Sequence, residues 1–346
     1  MKPERFSDLR VLRWTERIQD ALSGERLGPI RANLDLTNLC QDKCPWCEPA
    51  EFRAETIRDK RHTLDIGTAF EVIEDLAALD CKTINFSGGG EPLLHPEFGG
   101  ILRYSKHKGL RNWIVTNGGF IGKWAEELLG FADHVRISLD ASKEAEHLEM
   151  HGSKPGEFGK VLENIEELCR RRVNGSPEVG IGYIVADCND LTDSYEQIFS
   201  FAQRAGVDFI HFRPLSEPEP KRFTSEWEQV TIQLRAIAEK YPTVQCFPLG
   251  KRDKDVFLRR DFESCYAALT LAVISATGDV CACCDERGKI FGNVHEQPFK
   301  EIWLSARHRR MAGKIVPKLC SRCLMCGYNA AVEKFIVNNE ALPELL

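Results

Sequence analysis

Cys40, Cys44 and Cys47 stand in a C-x3-C-x2-C run that follows an extended stretch at residues 33–37. Three thiolates on one short loop can hold three corners of a four-iron, four-sulfide cube and leave the fourth iron open to a ligand. A structural zinc wants four protein ligands, and no further Cys or His lies close enough in the loop to complete such a set. Cysteines gather again late in the chain, at Cys265, Cys281, Cys283 and Cys284, then Cys320, Cys323 and Cys326. Cys81, Cys169, Cys188 and Cys246 stand alone in apolar or helical surroundings and read as small buried hydrophobes.

The elements that must position these loops follow from the apolar pattern. Strands are predicted at residues 33–37, 83–87, 112–116, 134–139, 179–186 and 208–212, with helices at 66–79, 123–129, 158–172 and 193–205 between them. Strand and helix alternating in this way is the order of parallel β/α units, an α/β class whose ligands gather at the C-terminal ends of the strands. Polar motifs fall at those ends. Ser87 leads into Gly88, Gly89, Gly90 and Glu91 after the second strand; Asn117 follows the third; Ser138 and Asp140 close the fourth; Arg213 follows the sixth and could clamp a carboxylate or phosphate. Helix capping is the plain reading of Ser138, Asn117 and Asp140. His95, before a proline in a turn, reads as structural, and the charged stretch 51–62 reads as a solvated loop.

Cys40, Cys44 and Cys47, with Trp46 just before the last of them, resemble the signature of the radical S-adenosylmethionine (SAM) superfamily. The resemblance implies a partial (β/α)6 TIM-like barrel in which SAM chelates the open iron and one electron cleaves it to methionine and a 5′-deoxyadenosyl radical. It further implies that Gly88, Gly89, Gly90 and Glu91 grip the methionyl amino group, that Trp46 and Ser138 belong to the cofactor site, and that Asn117 and Asp140 contact ribose or substrate. Relatives often carry an arginine after strand four for the SAM carboxylate. Here that stretch runs Glu149, Met150, His151, Gly152, Ser153, Lys154, so His151 and Lys154 are the substitutes it offers.

Behind the barrel, C-x12-G-x4-C from Cys265 through Gly278 to Cys283, closed by the pair Cys320 and Cys323, resembles the Twitch domain, a shortened SPASM domain. That resemblance implies one auxiliary [4Fe–4S] cluster held by Cys265, Cys283, Cys320 and Cys323, although spacing alone leaves zinc open there. Residues 292–303 resemble the connector of such domains, with Phe299, Ile302 and Trp303 packing inward. The expected organisation is a helical extension at 1–29, the barrel at 30–240 and the auxiliary-cluster domain at 241–346. Leu9, Leu12, Trp14, Ile18 and Leu22 suggest that the extension is a helix packed on the barrel.

Twitch-bearing relatives act on sugars and aminocyclitols, whereas SPASM relatives often modify ribosomally made peptides. With some 30 residues before strand one, a small oxygen-rich substrate (sugar, aminocyclitol or nucleoside) is expected, ending in dehydrogenation, epimerisation, dehydration or decarboxylation. A peptide is the alternative substrate, and a non-catalytic iron–sulfur carrier the alternative function. Cys284 or Cys281 could return a hydrogen atom to a substrate radical, and a flavodoxin or ferredoxin would supply electrons. The chain has 346 residues, 14 of them Cys, with 43% hydrophobic and 28% charged residues and a formal net charge of -6. The charge disfavours nucleic acid, no apolar run or leader suggests a membrane, and abundant unpaired-looking thiols fit the reducing cytoplasm.

Overall fold

The computed structural model describes residues 8–47, 50–60, 62–215, 223–248 and 261–340. Strands β1 (Arg31–Leu34), β2 (Thr83–Phe86), β3 (Arg111–Thr116), β4 (His134–Ser138), β5 (Glu178–Val185), β6 (Phe209–Pro214) and β7 (Gln245–Pro248) lie side by side in chain order, all parallel. β8 (Leu271–Ile274) joins the free edge of β1 in parallel register, and β9 (Asp279–Cys281) and β10 (Ile290–Asn293) continue the same sheet antiparallel. The sheet is an open partial barrel with eight parallel strands, two more than the six expected from the sequence.

Alternation along the strands divides its two faces. Ala32 and Leu34, Ile84 and Phe86, Ile114, Val135 and Ile137, Val179 and Ile181 are buried in the main core. They meet apolar faces of α3 (Ile66–Ala78), α4 (Phe98–His107), α7 (Glu157–Arg171) and α8 (Thr192–Ala205), whose Val72, Ile101, Ile165 and Phe199 belong to the same cluster. The other face carries Asn33, Asn85, Trp113, Arg136 and His211. On β5 this face is filled by glycines, Gly180 and Gly182. The His134 ring on β4 stacks on Phe209 of β6 at 5.3 Å, passing over Gly180, where a Cβ would stand 2.0 Å from the Phe209 ring. A Gly180→Val variant must displace that ring and is expected to lose about 1–3 kcal/mol of stability, read as a lower urea midpoint.

Three elements differ from expectation. The stretch read as a loop after the cysteines forms helix α2 (Ala50–Arg58), because Ala, Glu and Arg dominate it and favour helix even where only Thr56 is buried. α4 was hidden in sequence by Gly99 and Gly100 in its first turn; Gly99 is needed because a Cβ there would come within 2.9 Å of the Trp124 ring. The N-terminal segment is a 3-10 turn (Asp8–Trp14) followed by α1 (Thr15–Ser23); its Val11 and Ile18 pack with Tyr266, Ala331, Val332 and Ile336 of the C-terminal part, while Arg17 donates to Leu79 O at 3.1 Å at the end of α3. Cys81 and Cys169 are buried in the core, where burial pushes both thiols up to about 11, as inert packing residues.

Candidate active site

The cysteine loop leaves the end of β1, and its base is clamped by β2's glycines. Gly90 N donates to Thr37 O at 2.8 Å and Glu91 N to Leu39 O at 2.8 Å. A Cβ on Gly88 would stand 1.8 Å from Asp35 Oδ1, on Gly89 1.8 Å from Asn38 Oδ1 and on Gly90 2.1 Å from Leu39 O. The close approach that these glycines permit is therefore to the cysteine loop's own backbone and side chains. Gly88 also has φ of +100°, which disfavours any other residue.

Glu91 is 3% exposed and already occupied. Its Oε1 accepts from Leu93 N at 3.0 Å and Thr116 Oγ1 at 2.7 Å, and Oε2 from Asn117 N at 2.8 Å. Burial pushes its carboxyl up to about 7 against the pull of these donors. It ties the β2 turn to the end of β3, and a carboxylate with about four acceptor sites keeps capacity for one more donor.

Each cysteine of the loop meets a nitrogen donor. Asn117 Nδ2 lies 3.8 Å from Cys40 Sγ, His151 Nδ1 3.7 Å from Cys44 Sγ, and Arg53 Nη1 3.5 Å from Cys47 Sγ. Burial pushes the Cys40 thiol up to about 12 and raises Cys47, where Arg53 opposes it. His151 closes α6 (Glu144–His151), 1% exposed, with Asp42 Oδ2 at 3.4 Å on one nitrogen and Asp140 Oδ2 at 3.3 Å on the other. Burial opposes its charge, but Asp140, Asp42 and Cys44 outweigh burial and hold it well above the usual histidine range. His147, stacked on it at 4.5 Å, is driven down to about 4 by burial and by that neighbour. His151 is thus enclosed between two carboxylates, rather than open to a SAM carboxylate.

Trp46 donates its indole N–H to Met150 O at 2.9 Å and packs beside Ile184 and Ala186, so it docks the cysteine loop on α6. Besides facing His151 through Oδ2, Asp140 accepts from Ile184 N at Oδ1, 2.6 Å, and its carbonyl accepts from Asn189 Nδ2 at 2.7 Å. Asn117 also donates to Asp42 at 2.9 Å. Ser138 sits opposite Gly182, and Arg213 opposite Ile184, at the strand ends. His95 is structural, its ring against Leu64 O at 2.7 Å and accepting from Glu97 N at 3.1 Å.

In the C-terminal part Cys265, Cys283, Cys284, Cys320 and Cys323 line one cavity with Asn329 and Lys289. Glu286 N donates to Cys283 Sγ at 3.2 Å and Asn329 Nδ2 to Cys323 Sγ at 3.9 Å. Cys326 is buried against Phe262 and Ala330. Cys284 also lines a second cavity with Asn33, Leu271 and Val273, whereas Cys281 is 1% exposed on β9. Just beyond, Arg287 binds Asp35 at 2.6 Å and lies over the Phe52 ring of α2, 5.3 Å from its centroid. This buried ion pair joins the auxiliary cysteines to the end of β1, a link with no local sequence signal. Among the described residues no three His, Cys, Asp or Glu side chains are gathered tightly enough to chelate a single ion.

The Radical SAM superfamily profile matches residues 34–211, more than half of the 346, and a profile for an iron–sulfur cluster-binding domain, SPASM, matches 265–327. The chain belongs to the radical SAM superfamily. It is 25% identical over 322 residues to the AdoMet-dependent heme synthase of Methanosarcina barkeri, covering 85% of this chain and 87% of that protein. It is 26% identical to dTDP-4-amino-4,6-dideoxy-D-glucose ammonia-lyase of Streptomyces venezuelae, over 56% of this chain and only 41% of the relative. The fold matches that of SuiB from Streptococcus suis bound to precursor peptide SuiA, with TM-score 0.65 and 13% identity, over 92% of this chain and 75% of SuiB.

The protein is therefore an enzyme that uses SAM and a [4Fe–4S] cluster, with auxiliary iron–sulfur chemistry in its second domain. The carrier alternative falls away, since the superfamily's relatives are enzymes. The donor sets suit these groups: a thiol trio with a nitrogen donor at each sulfur, and a separate cavity lined by more than four thiols. Among the described residues no helix is long and apolar enough to cross a membrane.

Proposed function

We propose that the enzyme abstracts a hydrogen atom from a small oxygen-rich substrate, a sugar, aminocyclitol or nucleoside, held on the polar concave face of the barrel. When bound at Cys40, Cys44 and Cys47, the cluster and SAM supply a 5′-deoxyadenosyl radical. Residues Cys265, Cys283, Cys320 and Cys323 hold one auxiliary cluster, and a flavodoxin or ferredoxin delivers electrons. The observation that carries the substrate class is the concave face itself. Asn85 donates to Asn33 at 3.2 Å and to Ser87 at 2.8 Å, and Arg136 lies 3.5 Å from His211 across Gly182, with Ser138 and Arg213 on the same strands. Amides, hydroxyls and guanidinium groups orient hydroxyl-bearing molecules through hydrogen bonds, beside the stacked rings of Trp113, His134 and Phe209 on the same face.

Cys284 suits hydrogen return better than Cys281, because it borders both the auxiliary cavity and the space beside Asn33. In an epimerisation its S–H would give a hydrogen atom to the substrate radical. The sulfur radical left behind would take back one electron from the auxiliary cluster and a proton from solvent. The test is turnover of sugar, aminocyclitol and nucleoside panels by reduced enzyme, in light and heavy water. Substrate-dependent 5′-deoxyadenosine with one of these classes supports the reading, and deuterium in product that disappears in Cys284→Ala identifies the donor. Turnover of peptides alone would refute the substrate class.

A further inference from the structure

We propose that Arg53, Asn117 and His151 form a ring of donors, one to each cysteine sulfur of the loop, that raises the reduction potential of the cluster held there. The three reach the loop from different elements. Arg53 comes from α2 to Cys47 at 3.5 Å, Asn117 from the end of β3 to Cys40 at 3.8 Å, and His151 from the end of α6 to Cys44 at 3.7 Å.

Each donor is fixed by contacts of its own. Arg53 Nε donates to Asn38 O at 3.0 Å, which leaves a second nitrogen aimed at Cys47. Asn117 accepts from Gly119 N at 3.2 Å and donates to Asp42 at 2.9 Å. His151 is wedged between Asp42 and Asp140, at 3.4 and 3.3 Å. The guanidinium, amide and imidazole are therefore held around the sulfurs by protein contacts.

The physical consequence concerns electron entry. Reduction adds one negative charge to the cube, shared with its sulfurs, while no bond forms or breaks. Hydrogen bonds to ligand sulfurs stabilise that added charge, and so does a nearby guanidinium. Arg53, the one side chain of the three with a permanent cationic fork, is expected to contribute most. A low-potential one-electron donor such as a flavodoxin or ferredoxin then meets an acceptor whose uphill gap is smaller.

The test is an EPR-monitored redox titration of the reconstituted full-length enzyme, with dithionite as reductant. It follows the signal that changes on SAM addition, which separates this cluster from the auxiliary one. At a fixed potential, Arg53→Met is expected to lower the reduced-to-oxidised ratio about tenfold, a downward shift of about 59 mV for a one-electron couple. Asn117→Leu and His151→Phe shift it the same way by less, and Arg53→Lys restores part of the loss. Should Arg53→Met take up no iron, Arg53→Lys and Arg53→Gln decide, with Gln the lower. Potentials equal to wild type across the Arg53 variants that carry the cluster would overturn the proposal. It rests on Cys40, Cys44 and Cys47 being the ligands, which fails separately if the wild-type loop takes up no iron.

Discussion

Alanine at any one of Cys40, Cys44 or Cys47 is expected to cut reductive release of 5′-deoxyadenosine by at least about a thousandfold, a barrier increase near 4 kcal/mol. Two thiolates from one loop cannot keep a cube in place, so iron should fall by about four per chain. The fold should survive. The core behind the loop is Leu34, Phe86, Ile114 and Ile137, none of which needs the thiols, and the loop remains clamped by the glycine turn and by Trp46 on Met150. Circular dichroism unchanged beside lost iron and lost 5′-deoxyadenosine separates this outcome from misfolding. Cys81→Ala, which touches only core, should keep both iron and activity.

The second large effect separates SAM cleavage from product. Cys320→Ala, or Cys283→Ala, is expected to remove about four irons while leaving substrate-free SAM cleavage within about tenfold, and to depress product formation by more than about a hundredfold. The cysteines involved line a cavity assembled from segments far apart in the chain, so a cluster held there would also fasten the C-terminal part together. Metal binding of this kind contributes to folding stability, and the same variants should show faster proteolysis beyond residue 261. The barrel should hold, because β8 is paired with β1 along its whole length. Iron content, 5′-deoxyadenosine and product measured on one preparation distinguish the two variant classes.

Much of this was legible in the sequence, and the reasons it was differ by residue. The spacing of Cys40, Cys44 and Cys47 is local, and so is the alternation that marks β2 to β6, because one buried face imposes it. The glycine run announced a close approach but not to what; only the pairing of β1 with β2 puts Gly88 against Asp35. Arg53 was lost in a charged stretch whose helix is set by propensity rather than by an apolar face. His151 stood out as a stand-in for an arginine, yet its work depends on Asp42 and Asp140 meeting it from other segments. Arg287 and Asp35 lie 252 residues apart in the chain, a distance across which no period or motif operates.

Mössbauer spectroscopy of anaerobically prepared, iron-enriched enzyme with and without SAM addresses the central claim most directly. SAM should alter one iron of the loop's cube, leaving its other three and the auxiliary irons as they were. A cube with four equivalent irons that ignores SAM, or zinc in place of iron at Cys40, Cys44 and Cys47, would contradict it.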